Sequence, residues 1–156
     1  MSYSIDTSAL VDAWHVLYRP SVFDSVWNNW IARLIANGKL VISRSVFDEL
    51  QVGGDDLFDW VRGHRANCVC EDTEAVQTQV RAIQRDWPDP ATDFGRRLRG
   101  ADLFVIGHAA SIRGKVVSHE SAAGNFRDSR IPDACRRLGL ECLSIMDVLE
   151  TEGFTF

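Results

Sequence analysis

A three-layer α/β/α sandwich around a central, mostly parallel sheet is the fold that this 156-residue chain predicts. Three observations carry the prediction. Short apolar runs, among them YSI at 3–5, LVI at 40–42 and KVVS at 115–118, each end on an acidic or helix-capping residue. Between them lie segments whose apolar residues recur every three or four positions, the period of an amphipathic helix. The alternation runs the length of the chain without repeats or low-complexity stretches, as in strand–helix–strand units that build a parallel sheet.

The elements follow in order. Tyr3 to Ile5 reads as a short strand ended by Asp6, and in such a sheet it takes the centre. Ser8 is placed to cap the next helix, where Leu10, Ala13, Trp14 and Leu17 keep helical spacing until Arg19-Pro20 breaks it. Phe23, Val26, Trp27, Trp30, Ile31, Leu34 and Ile35 give a long amphipathic helix that stops at Asn37-Gly38. Leu40 to Ile42 is a buried strand, after which Ser43 or Ser45 caps a short helix carrying Glu49. Residues 55–65 predict a helix with Leu57, Trp60 and Val61 inward, and residues 68–70 an edge strand or extended connector. Residues 71–87 are helical, with Val76, Val80, Ile83 and Trp87 on one face. Residues 88–99, with two prolines and a glycine, read as a loop. The remainder predicts a helix at 100–113, a strand at 115–118, a helix at 131–138 closed by Gly139, a strand at 141–145 and a helix at 146–152.

Composition bounds the rest. One domain, 1–156, accounts for the length, and 46% hydrophobic residues with five tryptophans can fill its core. The opening MSYSIDTSAL has no basic segment followed by an apolar stretch, and no window approaches the roughly 18 apolar residues of a membrane span. The expectation is a soluble cytoplasmic protein with no membrane partner. Cys68, Cys70, Cys135 and Cys142 lack the two-residue gap of a zinc knuckle and read as reduced thiols. A net charge of −5 argues against nonspecific nucleic-acid binding by the whole surface. Yet nine of the 17 Lys and Arg fall between Arg96 and Arg137, including Arg96, Arg97 and Arg99. Such a basic patch suits a phosphodiester substrate, and equally a solvated face or a partner surface.

Four acidic residues stand out by position. Asp6 ends the first strand, Glu49 lies on the helix after the second, Asp102 opens an apolar helix, and Glu120 follows KVVSH. Parallel strands share one carboxyl edge, where residues distant in sequence meet. Several carboxylates gathered there repel one another unless a cation offsets them. The pattern therefore points to a magnesium or manganese site and to chemistry on phosphate esters. Taken singly, each has a plain alternative. Asp6 and Asp102 suit helix starts, Glu49 suits a solvated surface, and His119 beside Glu120 suits a structural role better than a magnesium site. Asp48 and Glu49 cannot both face the edge, and the buried stripe Val46, Phe47, Leu50 favours Glu49.

With these residues in this order, the chain resembles the PIN-domain nucleases. The matching segments are SYSIDTSALVDAW, SRSVFDEL, GADLFVIGHAASIRGKVVSHE and IPDACRRLGLECLSIMDVL, which cover nearly the whole chain. The small bacterial PIN-like proteins of the DUF4411 type, allied to the VapC toxin group, are the most similar variant. They share the tryptophan-rich second helix and the proline–Asp–x–Cys segment.

The resemblance implies a metal-dependent endoribonuclease, with Mg2+ or Mn2+ activating a water to hydrolyse RNA and leave 5′-phosphate ends. It implies Asp6 and Asp102 as direct metal ligands, Glu49 completing the site through water, and Glu120 at a fourth position that is usually aspartate. Ser8 and Ser118 match hydroxyl positions that hydrogen-bond the ligands. Asp12 is expected to face away, and Asp128 and Asp133 to serve a surface loop and a helix start. A toxin role, an antitoxin partner covering the site and a homodimer are further implications, with the exposed face of the tryptophan-rich helix as a candidate interface.

Two rivals remain. One is a PIN-fold binding module without catalysis. The other is a phosphatase with Asp6 as nucleophile, which needs a lysine over the phosphate. The chain offers only Lys39 and Lys115, the latter at the far end of its strand. The DFG at Asp93 has no glycine-rich phosphate loop beside it.

Overall fold

The computed structural model describes residues 1–86, 98, 100–125 and 128–155. Strand β1 (Tyr3–Ile5) is buried at every position, as a strand covered on both faces must be. It lies at the centre of a five-stranded, all-parallel sheet. Its neighbours are β2 (Leu40–Ser43) and β4 (Lys115–Val117), and the edges are β3 (Val69–Cys70) and β5 (Cys142–Leu143), giving the order β3-β2-β1-β4-β5. Ile5 pairs in register with Ile42 on one side and with Val117 on the other, so the three central strands end level. The strand order reverses between β1 and β4, the kind of switch point beside which α/β sheets open a crevice.

Helix α1 (Thr7–Asp12) widens into a π-helical stretch at Ala13–Leu17, and the second long helix is π-helical at Val26–Ile31 before it becomes α2 (Ala32–Ala36). Uniform α-helices were expected here. Both widened turns carry tryptophans that pack together. Trp14 meets Trp27 edge to face at 4.6 Å, and Trp60 stands 5.3 Å from Trp27. Trp27 is fully buried and donates its indole N–H to the Tyr18 carbonyl at 2.6 Å. The second helix thus turns its tryptophans inward, Trp30 against Phe154, and exposes Asn28, Asn29 and Arg33. The exposed face named as a candidate interface is therefore polar at these three positions.

Ser43 caps α3 (Arg44–Gly53), accepting from the Val46 N–H at 3.2 Å, and Asp55 caps α4 (Asp56–Gly63). A single turn, α5 (Arg65–Cys68), takes Cys68 out of the strand predicted for it and leaves β3 only two residues. Helix α6 (Glu74–Asp86) is followed by Trp87 and the 88–99 segment. These, with Arg96, Arg97 and Arg99, lie outside the described residues apart from Leu98, which is buried.

The almost wholly apolar helix α7 (Ala101–Ser111) lies across β1, β2 and β4. Gly107 lets α6 approach it, since a Cβ there would meet Val80 Cγ2 at 2.8 Å. At its far end Gly114 passes the backbone of Ser2, where a Cβ would lie 2.5 Å from the Ser2 carbonyl, and β4 begins. Helix α7 therefore runs opposite to β4, and its first turn, with Asp102, stands at the carboxyl edge of the sheet. Helix α8 (Ile131–Leu138) closes on Gly139 in the left-handed conformation, φ 68°. Helix α9 (Ile145–Thr151) starts at Ser144, whose hydroxyl accepts from the Asp147 N–H at 3.1 Å.

At the opposite edge, Glu152 accepts from the buried Tyr3 hydroxyl at 2.9 Å and from Lys39 at 2.5 Å. Lys115 pairs there with Glu141 at 2.7 Å. Both lysines are thus committed away from the carboxyl edge, which removes the lysine a phosphatase would need. The four cysteines are free thiols, and burial pushes Cys68 up to about 12, keeping it protonated. No described helix is long and apolar enough to cross a membrane.

Candidate active site

Asp6 sits where β1 ends, and its backbone N–H still bonds the Val117 carbonyl at 2.9 Å. Its side chain caps α1, accepting from the Ala9 N–H at 2.8 Å. The cap is therefore Asp6 and not Ser8, because the helix starts one residue after the strand and only Asp6 has the extended backbone of an N-cap. Ser8, two residues on, donates its hydroxyl to the Asp6 carboxylate at 2.9 Å. Ser118, just past the end of β4, donates to Oδ2 at 2.8 Å. Three neutral donors thus hold a carboxylate that is 4% exposed, and among the described residues no Lys or Arg pairs with it.

The electrostatics follow from that setting. Burial pushes the Asp6 carboxyl above its usual range, and the negative charge of Glu120 adds to the rise. The bonds from Ala9, Ser118 and Ser8 oppose it without overcoming it. Ionised Asp6 is accordingly a charge that the fold holds at a cost, and a cation beside it would offset that cost. Each Asp6 oxygen receives two of these contacts, Ser8 reaching both from one hydroxyl.

Glu120 is half-buried and reaches the start of α8, accepting from the Ile131 N–H at 3.2 Å, while its own N–H donates to Ser118 Oγ at 3.1 Å. Ser118 Oγ thereby joins the Asp6 carboxylate to the Glu120 backbone, while the Glu120 carboxylate itself turns to α8. Glu49 is exposed on α3 and accepts from the Thr7 hydroxyl, which places it one residue from Asp6 along the chain. Its neighbour Asp48 turns to Arg44 at 2.9 Å, as the buried stripe required. Asp102 is half-buried in the first turn of α7, at the same edge.

Asp12 departs from expectation. It does not face away but bonds the ring of His119, whose backbone N–H in turn donates to Ser8 Oγ at 3.2 Å. The widening of the helix just after Asp12 accompanies this shift of direction. Asp133 organises the loop before α8, accepting from the N–H groups of Ala123 at 2.8 Å, Gly124 at 2.9 Å and Arg130 at 2.9 Å. Burial alone would raise its carboxyl, but these three bonds hold it below the usual range. Asp128 lies in the same loop, its N–H on Asn125. Thr7 and the Asp12–His119 pair are the polar members that the sequence reading passed over. The first was legible in the run Asp6-Thr7-Ser8; the second spans 107 positions and has no sequence signal.

Among the described residues, no three His, Cys, Asp or Glu side chains stand close enough together to form a metal cage. The donor chemistry nonetheless fits a hard ion. Every candidate offers oxygen, the preference of magnesium and manganese, and Asp6 is a buried carboxylate held by neutral donors.

Comparison with known proteins agrees with this architecture. The family model described as DUF4411, a domain of unknown function, matches residues 3–156. Comparison with curated proteins gives no match. Among solved structures, a chain of VapBC-1 from nontypeable Haemophilus influenzae superposes with a TM-score of 0.59 at 18% identity, over 92% of this chain and 98% of that one. A chain of VapBC2 from Rickettsia felis, in a complex bound to a DNA fragment from their promoter, gives 0.56 at 14% identity, with the same coverage of 92% and 98%. The fold is PIN-like.

Proposed function

The chain belongs to the DUF4411 family, and on that premise we propose that it is a metal-dependent endoribonuclease, the toxin of a toxin–antitoxin pair. The observation that carries the reading is Asp6: a buried carboxylate at the switch point of the sheet, held by neutral donors, with the negative charge of Glu120 near enough to raise it further.

In this reading Asp6 and Asp102 are the direct ligands of Mg2+ or Mn2+. Glu49 contributes through water, and Glu120 occupies the fourth acidic position. A bound divalent ion supplies Lewis acidity and offsets the charge that develops on the phosphate. The chain's own residues supply the rest. The Ala9 N–H, Ser8 and Ser118 fix the orientation of Asp6 and favour its ionised form. Thr7 holds Glu49 next to the α1 start. The Ile131 N–H, at the positive end of α8, holds Glu120. The RNA phosphate would enter over this edge, and the reading pairs the chain with an antitoxin that covers it and with a second copy as a homodimer. The VapBC structures of like fold support the antitoxin partner.

The test is induction in cells of the wild type and of Asp6→Asn, followed by mapping of new 5′-phosphate RNA ends. Growth arrest with discrete cuts from the wild type alone is the expected result. The second reading, a PIN-fold binding module without catalysis, is favoured by the lack of a three-residue metal cage among the described residues. It becomes the conclusion if both proteins behave alike and no new ends appear.

A further inference from the structure

Beside the acidic edge lies a cavity of about 180 Å3 with walls from the C-terminal end of the first helix and from the start of α9. Ala9, Leu17, Tyr18, Ile145 and Met146 give it a mostly apolar lining, with His119 and Ser144 as its polar members. It is smaller than the roughly 300–1,000 Å3 of sites that hold whole drug-sized ligands, and it fits one planar ring. Leu17 is 40% exposed and Met146 45% exposed, although both are large apolar side chains that a finished core would cover.

The cavity is rigidly built and continuous with the carboxylates. Tyr18 donates its hydroxyl to the Met146 sulfur at 3.2 Å, and its carbonyl accepts from the buried Trp27 indole at 2.6 Å, so both walls are fixed from behind. Ala9 carries the N–H that bonds Asp6, and His119 carries the N–H that bonds Ser8. Asp12 fixes the imidazole orientation. The π-helical stretch that ends at Leu17 presents Leu17 and Tyr18 to the cavity, and such stretches are common at functional positions.

We propose that this cavity is a nucleobase pocket: one base flanking the scissile phosphate inserts between Leu17, Tyr18 and Met146, with His119 at its polar edge. The proposal rests on the nuclease reading of the adjacent edge and supplies that reading with a specificity determinant. A base suits the site because it is a flat apolar ring with polar edges, tethered to a phosphate that must lie over Asp6. The lining is mostly apolar, and His119 and Ser144 supply polar groups for the edges of the ring.

The experiment uses single-stranded RNA in which an abasic residue is walked through the sequence one position at a time. Binding is read by fluorescence anisotropy with the Asp6→Asn protein in Mg2+, so that the RNA survives, and cleavage of the same set is read with the wild type. One position is expected to lose about tenfold or more in affinity, within the range for removal of a single stacked base. In a background that also carries Leu17→Ala and Met146→Ala, both at exposed positions, intact RNA should bind about tenfold weaker, with no further loss at that position. No binding of RNA, or an abasic residue tolerated everywhere, overturns the pocket. A positional loss that persists undiminished in the Leu17 and Met146 variants overturns it too, since the base is then read elsewhere and the cavity is left for a partner protein's side chain. Cleavage without any base dependence refutes the pocket and leaves the nuclease standing. Base-dependent binding that the variants abolish, with no cleavage by the wild type, does the reverse.

Discussion

Replacing Asp6 by asparagine separates a metal-binding carboxylate from a structural one, because the two roles respond oppositely. Asparagine keeps the cap: its carbonyl still accepts from the Ala9 N–H, and it is as good an N-cap as aspartate. Its amide can donate to Ser118 Oγ, whose hydroxyl then turns away. What changes is the charge. Burial holds the native Asp6 carboxyl above the ordinary 3.8. As pH rises past 3.8, the unfolded chain gives up this proton before the folded one does, so stability falls across that window, and above it the ionised group remains a constant cost. The Asp6→Asn protein escapes the cost and, without divalent ions at neutral pH, should melt at or above the wild-type temperature. Added Mg2+ reverses the order. An ion that binds only the folded state, at a hundred times its Kd, stabilises by about 2.7 kcal/mol. At about 2–4 °C per kcal/mol for a chain of this size, the wild type should gain about 5–11 °C and the variant almost nothing. Differential scanning fluorimetry with and without Mg2+, using K+ to match ionic strength, makes the measurement. Equal shifts in both proteins, or a metal-free variant that melts several degrees below the wild type, would refute the reasoning.

Ser118→Ala removes a donor that favours ionised Asp6 and strands the Glu120 N–H. It should cost about 1.5–3 kcal/mol and move the pH at which Mg2+ begins to stabilise the protein upward, as melting at a series of pH values will show. Trp27→Ala empties the fully buried centre of the tryptophan cluster and should cost about 3–5 kcal/mol in urea denaturation, with its partners Trp14 and Trp60 as fluorescence reporters. Glu152 is held below its ordinary 4.5, first by the Lys39 bond, so its contribution is present above that pH and is lost as pH falls. Glu152→Gln should therefore cost about 1 kcal/mol at neutral pH, allowing for the partly exposed Lys39, and should flatten the acid side of the stability curve.

What the sequence discloses and what it hides divides along one physical line. Burial that repeats with the period of an element shows in the sequence. Thus YSI, LVI and KVV announce strands that lie in the sheet as expected, and Val46, Phe47 and Leu50 decide rightly that Asp48 turns outward to Arg44. Contacts made across the fold do not repeat and leave no period. Asp12 meets His119 across 107 positions, and Trp14 meets Trp27 from a different helix. The same limit governs the site. Asp6, Ser8 and Ala9 form a local unit that the strand–helix junction dictates, whereas the bond from Ser118 needs β4 to lie beside β1. That adjacency is a property of the strand order, and it gives the acidic edge its direction. The two strands on either side of the switch point lead into one carboxylate each, Asp6 and Glu120, and the Ser118 hydroxyl joins the Asp6 side chain to the Glu120 backbone. Glu49 and Asp102 approach from helices, and the exposed Glu49 rests on the Thr7 hydroxyl, whereas Asp6 is buried under three donors. Asp6 is therefore held more firmly than Glu49 in the proposed centre, and the Mg2+ dependence of melting should be lost more completely in Asp6→Asn than in Glu49→Gln.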